Sequence, residues 1–169
     1  MAGKNLFYYM DGLGDIQGKM FRVYLDGDYL MMDQVSPRMI GKDKVIQQYK
    51  IKAADVLDFG IVKVSELKNQ SVIGRGAVGG LLFGPVGAVL GGMSAAAKSK
   101  IKSTLAISYL PSNGDEPKTV VFDAEPPSWG SQNALSVVKM KKEMSNIPKS
   151  VRVMKYLGQT INEDGSITL

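Results

Sequence analysis

The chain contains no cysteine and no histidine among its 169 residues. Without cysteine it can form no disulfide and offers no thiolate ligand to a metal ion. Without histidine it lacks the commonest general base and the commonest metal ligand, so catalysis would depend on carboxylates, lysine, tyrosine or serine. Both absences argue against an enzyme, and we predict no catalytic residue, no cofactor and no metal site.

Charge is missing from one long stretch. Between Arg75 and Lys98 lie 22 residues without a charge, and seven of them are glycine. Small residues recur there every four positions in two rows, Gly76, Gly80, Gly84, Ala88 and Gly92 in the first and Gly79, Gly87 and Gly91 in the second. Residues four apart share a face of a helix, so both rows predict smooth strips against which another backbone can pack closely.

The centre of this Gly-rich segment is Phe83-Gly84-Pro85. Proline inside a helix removes a hydrogen bond and costs about 3 kcal/mol, which favours two short helices folded back on each other. Each leg of about ten residues would be about 15 Å long, half of the ~30 Å of bilayer hydrocarbon. We therefore predict a helical hairpin within residues 72–98 that enters a membrane without crossing it, packs against other copies of the chain, or is buried in its own domain.

Basic residues border the segment at Arg75, Lys98, Lys100 and Lys102 and give a candidate contact with an anionic surface. The net charge of +5 is mild, and no interleaving of aromatic and basic residues indicates a nucleic-acid site. Residues 74–79 fit G-x-G-x-x-G formally. They lack the strand-helix context and the downstream acid of a dinucleotide site, so we predict no nucleotide there.

The rest of the chain alternates apolar and polar residues in short runs separated by turn signals. Asp26-Gly27-Asp28 predicts a hairpin turn, and Pro111 to Asp115 predicts a second one. Predicted strands cover residues 21–25, 29–32, 45–51, 58–64, 103–110 and 118–123; a helix runs from Pro127 to Asn146, with Trp129, Leu135, Val138, Met140 and Met144 as its apolar positions. Residues 151–157 and 166–169 read as a final hairpin.

This order predicts an α+β fold, mostly antiparallel β. Its parts are an N-terminal arm at 1–18, read as a short strand or a docked arm around Leu6 to Met10, a domain at 19–147 that carries the Gly-rich insert at 72–98, and a C-terminal β-hairpin tail at 148–169. The chain resembles the bacterial pleckstrin-homology-like (PH-like) domains, in its Leu25 to Leu30 hairpin, its Tyr49 to Val56 strand and turn, and its Thr104 to Tyr109 strand paired with Val120 to Phe122. The resemblance implies a β-barrel with a C-terminal capping helix, and a member that is not an enzyme.

We expect a bacterial or phage-encoded protein that uses the Gly-rich hairpin for homo-oligomerisation or membrane insertion. The predicted contacts are Gly76, Gly79, Gly80, Phe83, Gly84, Pro85, Gly87, Gly91 and Gly92. The alternative is a soluble module that captures a small ligand or a partner peptide on its barrel. Asp11 and Asp15 interrupt any apolar run of signal-peptide length after Lys4, so we expect a cytoplasmic protein, membrane-associated in the first case and not secreted.

Overall fold

The computed structural model describes residues 5–14, 19–36, 38, 40–67, 100–124, 132–158, 160–161 and 167–168. In chain order its elements are β1 (Leu6–Asp11), β2 (Met20–Asp26), β3 (Tyr29–Ser36), β4 (Lys44–Lys52), a 3-10 turn (Ala53–Asp55), β5 (Val56–Lys63), α1 (Val64–Leu67), β6 (Ser103–Tyr109), β7 (Lys118–Asp123), α2 (Gln132–Met144), α3 (Val151–Tyr156), β8 (Thr160–Ile161) and β9 (Ile167–Thr168).

Seven of these strands form one antiparallel sheet in the order β4-β3-β2-β1-β7-β6-β5. The hairpin predicted at Asp26-Gly27-Asp28 is confirmed, because Asp26 pairs with Tyr29 and Gly27 takes the positive φ of 55° that a two-residue turn requires. The hairpin between β6 and β7 is confirmed as well, with Tyr109 opposite Lys118. A closed barrel is not observed: β4 and β5 follow each other in the chain but lie at opposite edges, and within the described strands they do not pair.

The N-terminal arm predicted at 1–18 is not separate from the domain. β1 pairs with β2 on one side and with β7 on the other, so it lies in the middle of the sheet. Its apolar run explains this position, since Leu6, Phe7 and Tyr9 are almost fully buried. A strand with apolar side chains on both faces is stable only when both faces are covered.

The core lies on one face of the sheet and is built around aromatic rings. Phe21 and Phe122 have ring centroids 5.5 Å apart, and Phe7 lies 6.1 Å from Phe122 in a tilted arrangement. Helix α2 closes this core with Val137, Met140 and Met144, which follow helical spacing. Of the predicted apolar positions, Met140 and Met144 are buried, whereas Leu135 and Val138 are 75% and 65% exposed. Trp129, the fifth, lies outside the described residues.

The C-terminal tail differs from the prediction. Residues 151–156 form helix α3 instead of a strand, and the hairpin that follows joins only Thr160–Ile161 to Ile167–Thr168. The Ser150 side chain accepts a hydrogen bond from the Val153 amide and caps the helix, a local signal that outweighs the alternation of Val151 and Val153. Val153 is buried against Leu57 and Leu110, so tertiary packing fixes α3 on the start of β5.

Candidate binding groove

Strand β5 is an edge of the sheet, since in the described part of the chain it pairs only with β6. The Val64 amide donates to Lys102 O at 2.9 Å, which identifies a hydrogen-bonded pair. Such pairs alternate along an antiparallel ladder, so the pairs at Val62, Gly60 and Asp58 are also bonded to β6. The main-chain groups of Phe59 and Ile61 therefore point away from β6, toward the open side of β5.

A bulge shifts the register near Leu57, between Val56 and Asp58. Bulges of this kind redirect side chains at the edge of a sheet. Here the bulge precedes Asp58, a single carboxylate inside an otherwise apolar strand, and its side chain is only 5% exposed. That carboxylate becomes the polar centre of the site.

Helix α2 supplies the second wall. Its last turn ends at Met144, and the amides of Ser145 and Ile147 continue to bond back to Lys141 O and Met144 O before Pro148 stops the helix. Lys141 and Met144 are three positions apart, so both project from the same side of the final turn. This side faces the beginning of β5.

The linker between α2 and α3 supplies the third wall. Lys149 Nζ donates to Val56 O at 2.7 Å, and the Ser150 amide donates to Ala54 O at 2.9 Å. Val56 O points away from β6, so Lys149 occupies a main-chain position that a neighbouring strand would otherwise use. The linker thus covers the first residues of β5 and leaves the edge beyond them clear of described residues.

These three walls enclose a cavity of about 210 Å³, which we call the β5–α2 groove. Its lining is mostly apolar with a few charged groups, Val56, Leu57, Asp58, Phe59, Lys141, Met144, Ser145 and Lys149. Sites for drug-sized ligands usually measure about 300–1,000 Å³, so this cavity has room for one side chain and not for a whole ligand of that kind.

The charges in the groove are close to one another. Lys141 Nζ lies 3.7 Å from Asp58 Oδ1, and the Phe59 amide donates to the same oxygen at 2.8 Å. Burial raises the pKa of the Asp58 carboxyl, and the Phe59 amide and Lys141 oppose that shift. Burial likewise lowers the pKa of the Lys149 ammonium, an effect that Asp58 opposes. Two cations and one carboxylate leave the groove with a positive balance.

Most of the site residues predicted from the sequence are not among the described residues. Gly76, Gly79, Gly80, Phe83, Gly84, Pro85, Gly87, Gly91 and Gly92, with Arg75 and Lys98, lie outside the described residues, as does the helical hairpin predicted at 72–98. Lys100 and Lys102 are described, and both are exposed just before β6. The groove was not predicted from the sequence. Two features of the sequence point toward it, the carboxylate of Asp58 within a run of apolar residues and Lys149 directly after Pro148.

Comparison with protein families gives a match. A family model described as "Glycine zipper containing PH domain" matches residues 21–117, which is more than half of the chain. The matched range begins within β2 and ends just before β7, so it contains the edge strand β5. Comparison with curated proteins and with solved structures finds no match.

None of the described helices is both long enough and apolar enough to cross a membrane.

Proposed function

The chain belongs to the family of glycine-zipper-containing PH domains, and from this premise we propose that it is a binding module that captures an extended segment of a partner protein in the β5–α2 groove. PH-like domains are generally not catalytic, so the family supports a binding or association module. The observation that carries the proposal is that β5, an edge strand among the described residues, borders a cavity lined by two lysines.

The main chain of β5 would provide the affinity. An extended segment that adds to a sheet edge bonds to the outward-facing main-chain groups, and pockets beside the edge select its side chains. Lys149 already fills the position at Val56, and the Phe59 amide already donates to Asp58, so the added segment would bond to the Phe59 carbonyl and to the main chain of Ile61. One apolar side chain of that segment would then enter the groove beside Met144 and Phe59.

The charge of the groove determines which residue of the partner segment lies next to its apolar side chain. Lys141 and Lys149 outnumber Asp58, and Lys141 is 61% exposed, which leaves its ammonium accessible from solvent. A carboxylate next to the apolar side chain would complement these cations, and pairing with partly buried charges favours specificity. The partner segment is therefore extended, with one apolar residue followed by an acidic residue.

The test is a binding titration with defined probes, nine-residue peptides that carry one Leu or Phe followed by Asp in a Thr/Val background. Fluorescence anisotropy should give saturable binding, and the amide signals of Phe59 and Ile61 should shift in NMR spectra. Lys149→Met should weaken binding at least about tenfold, equal to 1.4 kcal/mol. Met144→Trp, which fills the cavity, should abolish it.

A matched control is available on the same helix. Lys139 is 79% exposed and pairs loosely with Glu143, 3.9 Å away, on the side that faces water. Lys139→Met removes the same charge and should leave the affinity unchanged. Absence of binding by every peptide, or equal losses for Lys139→Met and Lys149→Met, would refute capture in the groove.

A second function, self-association through the Gly-rich segment, is favoured by a different observation. Val64 and Lys102 are hydrogen-bonded across the base of that segment, so it leaves and rejoins the sheet at one place, as an out-and-back hairpin requires. Its rows of glycine would let the same segment of another copy approach closely. The family description itself names a glycine zipper.

Gly80→Leu combined with Gly84→Leu would block this approach. Light scattering should then show fewer subunits per particle, and flotation with anionic liposomes would reveal any membrane contact that involves Lys100 and Lys102. Ala134→Leu, on the exposed side of α2, is the control for added apolar bulk. Unchanged mass and unchanged flotation in the double variant would exclude this second function.

A further inference from the structure

The face of β5, β6 and β7 that points away from the core is buried. Phe59, Leu105 and Phe122 belong to the core, and side chains alternate along a strand, so their neighbours face the other way. Away from the strand ends these neighbours are Gly60, Val62, Thr104, Ala106, Ser108 and Val121, which we call the outer face; the carboxylates Asp58 and Asp123 lie on the same side, at its two ends. Thr104 and Ala106 are 0% exposed, and the other four residues are buried as well.

The described helices do not account for this burial. Helix α2 packs on the opposite, core side through Val137 and Met140. Helix α3 reaches only the end of the sheet, where Val153 meets Leu57 and Leu110. An antiparallel sheet commonly leaves one face in water. The described core clusters place α2 on the core side and α3 at the end of the sheet, and yet the middle of the outer face is shielded from water.

The outer face is suited to an uncharged occupant that approaches closely. Its central side chains are small, with Gly60 paired to Ala106 and Ala106 paired to Val121. Its hydroxyls are already satisfied within the sheet, since Thr104 Oγ1 donates to Val62 O at 3.3 Å and Ser108 Oγ lies 2.7 Å from Thr119 Oγ1. Within these six residues no polar side chain is left to recognise a charged partner; Asp58 at one end already meets Lys141 and the Phe59 amide, and Asp123 at the other end is engaged as well.

The length and the ends of one chain segment fit this surface. Residues 68–99 leave the sheet after α1 and return just before β6, and the Val64 amide bonds to Lys102 O at 2.9 Å at the base. Both ends therefore border the outer face at the junction of β5 and β6. The segment brings its own uncharged run of small residues from Gly76 to Ala97.

We propose that the outer face of β5, β6 and β7 is the docking surface for the chain's own Gly-rich segment, residues 68–99. Small side chains on the sheet and glycine rows on the segment allow the two backbones to pack closely. Docking also removes from water the large apolar residues of the segment, at about 25 cal/mol per Å² buried. The inference is distinct from peptide capture, because the two surfaces meet only at Asp58, and the middle of the outer face, around Gly60 and Ala106, does not line the β5–α2 groove.

Because the chain has no cysteine, an introduced thiol is the only one that a maleimide can label. Ala106→Cys places one thiol on the outer face with little change in volume, and Ala134→Cys places the same substitution on the exposed side of α2. In the full chain, a maleimide should label Cys at position 106 at least about tenfold more slowly than at position 134, because labelling of a buried thiol requires local opening.

A second experiment, disulfide formation between pairs of introduced cysteines, identifies what covers the outer face. Ala106→Cys is combined in turn with cysteine in place of Gly76, Gly80, Gly84, Gly87 or Gly91, and the thiols are oxidised. At least one pair should form a disulfide that migrates as a monomer on a denaturing gel, since a disulfide requires Cα atoms about 4.4–6.8 Å apart. The same five partners combined with Ala134→Cys should give none.

Three results would overturn the proposal. Equal labelling at positions 106 and 134 would mean that the outer face is open to water. Disulfides that form only between chains would assign the face to a second copy. Slow labelling without a disulfide from any of the five positions would assign it to a cover other than this segment. None of these results depends on whether the peptides bind or on the subunit count of the wild-type protein.

Discussion

Gly12 and Gly14 offer a matched pair of substitutions that tests how closely the end of β1 approaches β7. Both glycines have a positive φ, 107° and 103°, which side chains rarely adopt. A Cβ at Gly14 would meet nothing within 4 Å, whereas a Cβ at Gly12 would lie 2.2 Å from Thr119 O and 2.8 Å from Val120 Cα. The two alanine variants share the backbone strain and differ in the clash.

The expected loss in the free energy of unfolding follows from the backbone strain in both variants and from the clash in Gly12→Ala. A left-handed conformation costs a residue with a Cβ about 1–2 kcal/mol, and replacing glycine returns about 0.4–1 kcal/mol by restricting the unfolded chain. Gly14→Ala should therefore lower the free energy of unfolding by no more than about 1.6 kcal/mol. Gly12→Ala adds a clash with the backbone of β7, so it should lose about 1–3 kcal/mol more, the range for overpacking.

Urea denaturation of both variants and of the parent chain, followed by far-UV circular dichroism, measures these differences. The comparison relies on the midpoint and slope of each transition, and equal slopes would show that the unfolded states are comparable. If Gly12→Ala and Gly14→Ala lose the same free energy, then β1 does not approach β7 as closely as the structure has it, and the reasoning fails.

Three further changes test the hydrogen bonds of Asn133 in α2, the carboxylate of the β5–α2 groove and the cap of α3. Asn133→Ala removes the Nδ2 group that donates to Leu6 O at 2.7 Å and Ala124 O at 3.1 Å, so the free energy of unfolding should fall by about 2–4 kcal/mol in urea titrations; a fall below about 0.5 kcal/mol would contradict this anchoring. Burial raises the pKa of the Asp58 carboxyl above its ordinary value of 3.8. The contribution of Asp58 to the free energy of unfolding is therefore fully present below about pH 3.8 and is lost as the pH rises through the raised pKa. Asp58→Asn should flatten this decline above about pH 4, and an unchanged pH profile would contradict the assignment. Ser150→Ala removes the cap of α3 and should cost about 1 kcal/mol, measured by thermal unfolding; a change within error would exclude a capping role.

Local patterns predicted much of the sheet. The turn at Gly27 needs no distant partner, because an Asp-Gly-Asp sequence between apolar runs favours a hairpin by its own backbone preferences. The alternation of Leu105, Ile107 and Tyr109 likewise indicates a strand with one face toward a core. Predictions of this kind succeed where each residue's preference agrees with the final fold.

The errors occurred where long-range contacts decide. Val151 and Val153 alternate as in a strand, but the cap at Ser150 and the burial of Val153 against Leu57 produce a helix. Apolar spacing typical of a helix puts Leu135 on the predicted apolar face of α2, and the structure leaves it in water. Helical spacing has several registers that fit a short apolar pattern, and only the position of the sheet selects one.

By itself the sequence determined an antiparallel, cysteine-free and histidine-free domain, its hairpins, and an uncharged Gly-rich insert between β5 and β6. Only the tertiary structure decided that β1 lies in the centre of the sheet, that β4 and β5 are its edges, and that Asp58, Lys141 and Lys149 meet in one groove. Turns and strand alternation depend on neighbouring residues. By contrast, 91 positions separate Asp58 from Lys149, and no local preference brings such residues together until the chain has closed around a shared core.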